Sequence, residues 1–167
     1  VYCLTSDGEH NEGNTWEAVL FAAKYKLDNL TQIIDRNNIQ IDGNTEDIMP
    51  LEPLRDKYEA FNWHVIDVDG HNMHQIIDAC SQSKAIFEKP TCIIAHTIPG
   101  KGVDYMEFDY TWHGKPPTKI SWSGIKDGGI DSMLALVWFS GPKRASYTNE
   151  ACCILVEGSP WLLHTTL

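Results

Sequence analysis

Several features that would place this chain in other classes of protein are missing from its sequence. The 167 residues contain no apolar run near the roughly twenty residues that a membrane-spanning helix requires. They carry no excess of positive charge either, because 13 Lys and Arg residues stand against 23 Asp and Glu residues, for a formal charge of −10. Nucleic acids and anionic membranes bind positive surfaces, so the composition argues against both as general partners.

The cysteines are too few and too poorly spaced for a disulfide framework or a zinc site. Their number is odd and no Cys-x-x-Cys pair occurs; they stand at positions 3, 80, 92, 152 and 153. This pattern favours a reducing, cytoplasmic environment. The chain begins at Val1 with a β-prone run and without a signal peptide, so we expect the natural N-terminus to lie further upstream.

Strand-like and helix-like segments alternate through the first 118 residues. The predicted strands are residues 1–5, 30–35, 63–68 and 91–96. The first predicted helix begins at Asn14 or Thr15, either of which can cap it, and two more cover residues 50–61 and 73–87. Such alternation predicts an α/β fold, a parallel sheet flanked by helices.

The last part of the chain has a different composition. Only 8 of the 49 residues from 119 to 167 are charged, against 28 of the preceding 118, and no strand–helix rhythm continues there. We therefore predict one domain over residues 1–118 and an irregular C-terminal tail over residues 119–167, to which no fold is assigned.

Polar loops follow three of the predicted strands, after Thr5, Asp35 and His96. In a parallel sheet, ligands bind beyond the carboxyl ends of the strands, where Asp7 and Asn37 would be neighbours. Carboxylate and amide oxygens suit Mg²⁺, which completes its coordination shell with phosphate oxygens and water. Taken one at a time, Asp-Gly and Asn-Asn are also common turn sequences, so either dipeptide alone indicates only a turn.

The pair of motifs resembles a known family. Ser6-Asp7-Gly8 followed by Asn37-Asn38 is similar to the thiamine diphosphate motif, and the surrounding sequence resembles transketolases. The similar segments are residues 7–18, 25–30, 39–43, 58–63, 89–91, 100–102 and 112–117. The resemblance is strongest to the separately encoded N-terminal subunits of split prokaryotic transketolases. It implies a thiamine-diphosphate-binding fold, present here in part.

The resemblance also implies a metal site. Asp7, the side chain of Asn37 and the backbone carbonyl of Ile39 would ligate Mg²⁺, and Gly8 would donate its N–H to the diphosphate. Ser6 stands where the family has Gly, and its Cβ is expected to crowd a loop that approaches the cofactor closely.

Further residues are implied near the rest of the cofactor. Ile41 and Ile98 would line the thiazolium ring, and His113 would reach the diphosphate and the substrate as a donor or proton shuttle. Glu12 and Glu17 would form the carboxylate network that links paired active sites across a dimer. The resemblance also implies that Glu12 binds the cofactor. Alternative interpretations stay open: Ile41 and Ile98 as core residues, and Glu17 as a first-turn acid. The remaining histidines are expected in solvent or packing positions: 10, 64, 71, 74, 96 and 164.

The implied activity is the transfer of a two-carbon glycolaldehyde unit between sugar phosphates, a thiamine-diphosphate- and Mg²⁺-dependent reaction of the pentose phosphate pathway. No counterpart of the family's pyrimidine-binding domain follows Pro117. We therefore expect this domain to come from a partner, in a homodimer or heterotetramer, and this chain to be inactive alone. Two alternatives stay open: another thiamine diphosphate enzyme such as a deoxyxylulose-phosphate synthase, and a non-catalytic truncated or frame-disrupted fragment.

Overall fold

A mainly parallel sheet organises the chain. The computed structural model describes residues 1–115 and, beyond them, a two-residue strand at 153–154. The strands are β1 (Tyr2–Ser6), β2 (Thr31–Arg36), β3 (Ile39–Gln40), β4 (Gly43–Asn44), β5 (His64–Asp69), β6 (Thr91–His96) and β7 (Cys153–Ile154). The main sheet has the order β5-β6-β2-β1-β7, in which β5, β6, β2 and β1 are parallel. The strands β3 and β4 form a separate small hairpin.

Helices connect the strands in the described part of the chain. They are α1 (Gly13–Lys24), α2 (Thr45–Ile48), α3 (Leu54–Ala60) and α4 (Met73–Ser83), with 3₁₀ turns at Gly8–Asn11 and Tyr110–Trp112. None of these described helices is both long and apolar enough to cross a membrane.

The core lies on both faces of the sheet. On one face, Val19 of α1 and Tyr58 of α3 pack with Ile94 of β6. On the other face, Ala79 of α4 packs with Ile93. Because helices cover both faces, β6 is buried on both sides except at its last residue, and its central residues 92–95 are an apolar run without polar alternation. The predicted α/β class is therefore confirmed.

Three strands continue one residue further than predicted. Each ends in a polar residue that stays in the hydrogen-bonded ladder, where Ser6 pairs with Asp35, and Arg36 and Asp69 both pair with His96. The prediction ended the strands at the preceding residue, which is wrong here because the polar ends are held by neighbouring strands. The fourth strand, β6, has its predicted bounds.

The helix bounds also differ from the prediction. The helix α1 begins at Gly13 with Glu12 as its N-cap residue, and the Thr15 hydroxyl donates to the Glu9 carbonyl (2.9 Å) instead of capping the helix. The helix predicted from residue 50 begins only at Leu54, after Pro53, while the short helix α2 was not predicted. The helix predicted to end at residue 87 ends at Ser83, whose buried hydroxyl accepts a hydrogen bond from Thr31 of β2.

Two residues of the predicted irregular tail belong to the main sheet. Cys153 and Ile154 form β7, which pairs antiparallel with Cys3 and Tyr2 of β1. The composition of this segment did not indicate a strand. The rest of the predicted tail, and the predicted boundary at residue 118, lie outside the described residues.

Candidate functional site

The loops that follow β1, β2 and β6 meet at one edge of the sheet, as their positions predicted. The Asp7 N–H donates to the Asp35 carbonyl (3.2 Å), and the Thr97 N–H donates to the Arg36 carbonyl (3.2 Å). The Thr97 hydroxyl donates to Asp35 Oδ1 (2.5 Å). These bonds extend the ladder beyond the strand ends and hold the polar loops side by side.

Asp7 is a fully buried acid at this edge, with 0% of its surface exposed. Its Oδ2 accepts two hydrogen bonds of 2.8 Å, one from Arg36 Nη1 and one from the backbone N–H of Asn38. Its Oδ1 is also buried and has no partner among the described residues. A buried carboxylate oxygen without a donor is costly, so Oδ1 fits a site where a bound cation would complete its interactions.

Asn37 and Ile39 lie next to Asp7 in the loop after β2. Asn37 Nδ2 donates to Asp35 Oδ2 (3.0 Å), while Asn37 Oδ1 accepts from the Ile39 N–H (3.0 Å) and keeps a second lone pair. Asn38 between them adopts a left-handed conformation (φ 65°), which Asn tolerates better than most residues. Burial raises the pKa of the Asp35 carboxyl.

The donor set at this edge is mixed. Within residues 1–115 and 153–154, no three His, Cys, Asp or Glu side chains are grouped to hold a metal ion. A cation here would depend on one carboxylate, one amide oxygen and one backbone carbonyl, from Asp7, Asn37 and Ile39. Oxygen donors of this kind suit Mg²⁺ when phosphate and water complete the shell. The residues therefore fit the predicted cation.

Sequence reasoning missed Arg36, which it treated as part of a polar loop. The Arg36 guanidinium is only 2% exposed and forms ion pairs with Asp7 (2.8 Å), Glu46 (2.5 Å) and Glu52 (3.1 Å). Burial alone would lower the pKa of Arg36, but hydrogen bonds to Asp7 and Glu52 raise it above its usual value. The sequence did contain one signal for this role: Arg36 is a positively charged residue at the end of a buried strand. A buried guanidinium requires acidic partners, so such partners could have been sought.

Ser6 closes the loop between β1 and α1. The Ser6 N–H donates to Glu9 Oε2 (2.5 Å), and the Glu9 N–H donates to Ser6 Oγ (3.3 Å). This reciprocal arrangement has the hydrogen-bond pattern and the Ser-x-x-Glu spacing of a capping box, with Ser6 one residue before Asp7, the N-cap of the 3₁₀ turn. The hydroxyl bonds the backbone of its own loop, and it lies 4.0 Å from where a Cβ on Gly8 would stand. The side chain thus has a role within the loop that Gly could not fill.

The buried His10 side chain connects the same loop to the core by hydrogen bonds. It is buried, with Nδ1 2.9 Å from the Ser6 carbonyl and Nε2 2.7 Å from the Tyr58 hydroxyl. The chain of bonds continues from Tyr58 to Gln32 (2.9 Å) and from Gln32 to Thr5 (3.0 Å). Burial lowers the pKa of His10 and raises that of Tyr58. The prediction of a solvent or packing position for His10 left out this polar role.

The two isoleucines predicted near the thiazolium ring lie in different settings. Ile41 is 70% exposed, next to the small β3–β4 hairpin, so the alternative interpretation of Ile41 as a core residue is wrong. Ile98 is half-buried, and its N–H donates to His71 Nε2 (2.7 Å). It lines an open cleft of about 460 Å³ at the carboxyl ends of β5 and β6, together with Asp67, His71, His96 and Lys101.

None of the three predicted catalytic side chains forms a hydrogen bond or ion pair with Asp7 in the described part of the chain. His113 follows the second 3₁₀ turn, and its Nδ1 is buried without a partner in the part of the chain that the structure describes. Glu12 is the N-cap residue of α1 and is exposed. Glu17 lies in the second turn of α1, so the alternative interpretation of Glu17 as a first-turn acid is wrong. Neither glutamate forms an ion pair within the described residues.

The fold is a parallel α/β domain whose polar loops after β1, β2 and β6 meet at one edge of the sheet. A family model described as "Transketolase, thiamine diphosphate binding domain" matches residues 1–125. Since that match covers most of the sequence, the chain belongs to this family, and the resemblance inferred from its motifs is confirmed. The match continues beyond the predicted domain boundary at residue 118.

Similar proteins carry transketolase names. The chain is 44% identical over 122 residues to SqwG, a 6-deoxy-6-sulfo-D-fructose transketolase subunit of Clostridium sp. (strain MSTE9), covering 73% of this chain and 44% of that protein. It is 46% identical over 118 residues to an apulose-4-phosphate transketolase subunit of Phocaeicola vulgatus, covering 71% and 42%. The chain thus spans less than half the length of these curated relatives.

A solved structure shows the same fold. The transketolase from Campylobacter jejuni superposes with a TM-score of 0.61 and 37% sequence identity, over 65% of this chain and 17% of that chain. The small share of that chain agrees with a match to one domain of a much longer protein.

Proposed function

We propose that this chain binds Mg²⁺ and the diphosphate of thiamine diphosphate, and that it supplies this half of the active site of a transketolase. The observation that carries the proposal is the Oδ1 of Asp7, which is buried and unpartnered among the described residues while Oδ2 of the same carboxylate accepts from the Asn38 N–H in the loop after β2. When bound, thiamine diphosphate acts as an electron sink for the transfer of a two-carbon unit between sugar phosphates.

Each residue has a role in holding the diphosphate end. Asp7, Asn37 and the carbonyl of Ile39 ligate Mg²⁺, and the N–H of Gly8 donates to a phosphate oxygen. A bridging cation solves an electrostatic problem, because a protein with a formal charge of −10 would otherwise repel a diphosphate. The extended ladder of hydrogen bonds fixes the two ligand loops before the ion arrives.

The groups farther from Asp7 serve the rest of the cofactor and the substrate. Ile41 and Ile98 offer apolar contact to the thiazolium ring. The Nδ1 of His113, buried and without a partner in the described part of the chain, is available to hold or move a proton at the substrate. Glu12 and Glu17 contribute to a carboxylate network between paired sites.

A partner completes the enzyme. Three large apolar side chains on α1 or at its C-terminal end, close in sequence to Glu17, are more than half exposed: Leu20, Phe21 and Tyr25. An exposed apolar face of this kind is typical of a subunit interface. We propose a homodimer, or a heterotetramer in which a second chain brings the pyrimidine-binding domain, acting in the cytoplasm and in the pentose phosphate pathway. The relatives named as subunits support a separate partner chain.

Two other functions are distinguishable. A deoxyxylulose-phosphate synthase is disfavoured by the transketolase names of the similar proteins. A non-catalytic truncated or frame-disrupted fragment stays open as the other alternative. Reading the neighbouring nucleotide sequence in all three frames separates these cases, since a transketolase continuation in another frame after Pro117 would favour the fragment.

Calorimetry tests the binding proposal directly. We expect thiamine diphosphate to bind the full chain only with Mg²⁺, and Asn37→Ala or Asp7→Ala to weaken this binding sharply because each removes a metal ligand. Asp47→Asn is the matched control, since Asp47 is exposed and accepts a hydrogen bond from the nearby Asn44 side chain. Circular dichroism verifies that each variant is folded. Equal affinity in wild type and a folded Asn37→Ala or Asp7→Ala variant would refute the site.

Activity requires a different experiment. Co-expression with a candidate pyrimidine-domain subunit should give two-carbon transfer, while this chain alone should give none. Turnover by the chain alone would overturn the proposed need for a partner.

A further inference from the structure

The guanidinium of Arg36 joins the predicted cation ligand Asp7 to a second segment of the chain. We propose that Arg36 is a positioning residue, which holds the Asp7 carboxylate so that Oδ1 faces the cation, and that Glu46 and Glu52 hold Arg36 in place. This inference rests on the proposed function, because it concerns how the same site binds Mg²⁺. No motif in the sequence pointed to any of these three residues.

The two oxygens of Asp7 are used unequally. Both of its hydrogen bonds, from Arg36 Nη1 and from the Asn38 N–H, end on Oδ2 at 2.8 Å. Oδ1 receives none from the described residues. Rotating the carboxylate by half a turn would restore the same pattern, but any smaller rotation would break a charge-assisted bond that is stronger than a neutral one. Arg36 therefore fixes the carboxylate plane and leaves one oxygen for monodentate coordination.

The charge around Arg36 is negative overall. A guanidinium next to a metal ligand would by itself repel Mg²⁺, yet Arg36 meets three carboxylates: those of Asp7, Glu46 and Glu52. With three acids and one base, the cluster carries an excess of negative charge. Arg36 can thus orient Asp7 without making the site repulsive to a cation.

Arg36 is itself held in place. Its Nη2 is shared by Glu46 Oε1 (2.5 Å) and Glu52 Oε1 (3.1 Å). Glu46 is anchored in turn, because it accepts hydrogen bonds from the N–H groups of Leu51 (3.1 Å) and Glu52 (3.4 Å). The planar, forked guanidinium of Arg36 contacts Asp7 through Nη1 and the two glutamates through Nη2. Lys has a single ammonium nitrogen, so it could not make both sets of contacts in this geometry.

The test measures the Mg²⁺ concentration that gives half-maximal thiamine diphosphate binding to the full chain. In Arg36→Lys, which keeps the charge and loses the fork, we expect this concentration to rise about tenfold or more, as for other groups that orient metal ligands. In Glu46→Gln we expect a smaller rise, because Glu52 still holds Arg36. Arg55→Lys is the matched control, since Arg55 pairs with the half-exposed acids Glu59 and Asp67 far along the chain from the ligands.

The readouts separate positioning from simple stabilisation. A positioning role predicts that saturating Mg²⁺ restores thiamine diphosphate affinity in folded Arg36→Lys. A lower melting temperature with an unchanged Mg²⁺ requirement in both variants would show a structural role only and overturn the inference. If Arg36→Lys does not fold, Glu46→Gln decides alone, and an unchanged requirement there counts against the inference.

The outcome for the wild type keeps the two proposals distinct. If wild type binds and Asn37→Ala does not, while Arg36→Lys and Glu46→Gln behave as wild type, the proposed function stands and the role of Arg36 falls. If wild type itself shows no Mg²⁺-dependent binding, the proposed function falls and takes this inference with it.

Discussion

The two sides of the same sheet edge differ in how completely the fold prepares them. The loops proposed to bind the metal, here called the metal-side loops, contain Asp7, Arg36 and Asn37; Asp7 and Arg36 are buried, and ion pairs and hydrogen bonds tie the loops together. The residues proposed to contact the thiazolium ring, here called the ring-side residues, are Ile41, which lies on a solvent-exposed segment, and Ile98, which lies in an open cleft. Under the proposed function, this difference means that the domain builds the charged half of its site by itself and leaves the apolar half uncovered.

The physical reason is the precision that each kind of contact needs. A divalent cation requires oxygens at short, defined distances, which are best held by ligand groups that hydrogen bonds and packing already fix in place. Apolar contact to a ring depends on the area buried and has no required direction. The exposed apolar side chains can therefore become buried later, when the cofactor or another protein surface covers them. The proposed partner domain fits this division.

The largest effect on stability should come from removing the buried guanidinium of Arg36 in the metal-side loops. Arg36→Met leaves the buried Asp7 carboxylate without its cationic partner, which should lower the free energy of unfolding by about 3–5 kcal/mol. Arg55→Met removes exposed ion pairs and should cost no more than about 1 kcal/mol. Urea unfolding followed by circular dichroism measures both values. Equal losses would remove the distinction between a buried and a superficial network.

The next effect should come from the polar network beneath these loops. Tyr58→Phe leaves His10 and Gln32 without their shared partner in the core, at a cost of about 1–3 kcal/mol in unfolding free energy. Tyr25→Phe is the control, because Tyr25 is exposed and should change little. A neutral Tyr58→Phe would mean that the loop does not depend on this network.

A smaller effect should follow from opening the capping box. Ser6→Ala removes the hydroxyl that accepts from the Glu9 N–H and should cost about 1 kcal/mol. Ser81→Ala on the exposed side of α4 removes a bond to its own helix and serves as the comparison. If both variants lose the same stability, Ser6 has no special role in the loop. Ser6→Gly, which restores the family residue, should lose stability as Ser6→Ala does.

The smallest effect on stability should be found among the ring-side residues. Ile41→Ala should change the unfolding free energy by less than about 0.5 kcal/mol, because the side chain is mostly in water already. Its measurable consequence should be a modest loss of thiamine diphosphate affinity in calorimetry. A loss of stability like that of a buried isoleucine would show that the ring side is packed too, and would break the comparison.

Much of the candidate site could be predicted because it depends on short-range patterns. Apolar runs marked the four parallel strands, and the motifs after two of them placed Asp7 beside the loop of Asn37 and Ile39. Strand ends were less predictable, since polar residues such as Ser6 and Arg36 carry no strand signal of their own.

By itself, then, the sequence determined the family, the parallel sheet and the neighbouring loops that hold the proposed ligands. Only the tertiary structure decided the partners of Arg36 and His10. Arg36 reaches Glu52 across 16 positions, and His10 reaches Tyr58 across 48. Such pairs leave no periodic trace along the chain. The energy of burying a charge or a polar ring depends on which groups the fold brings to it, and no local pattern encodes that.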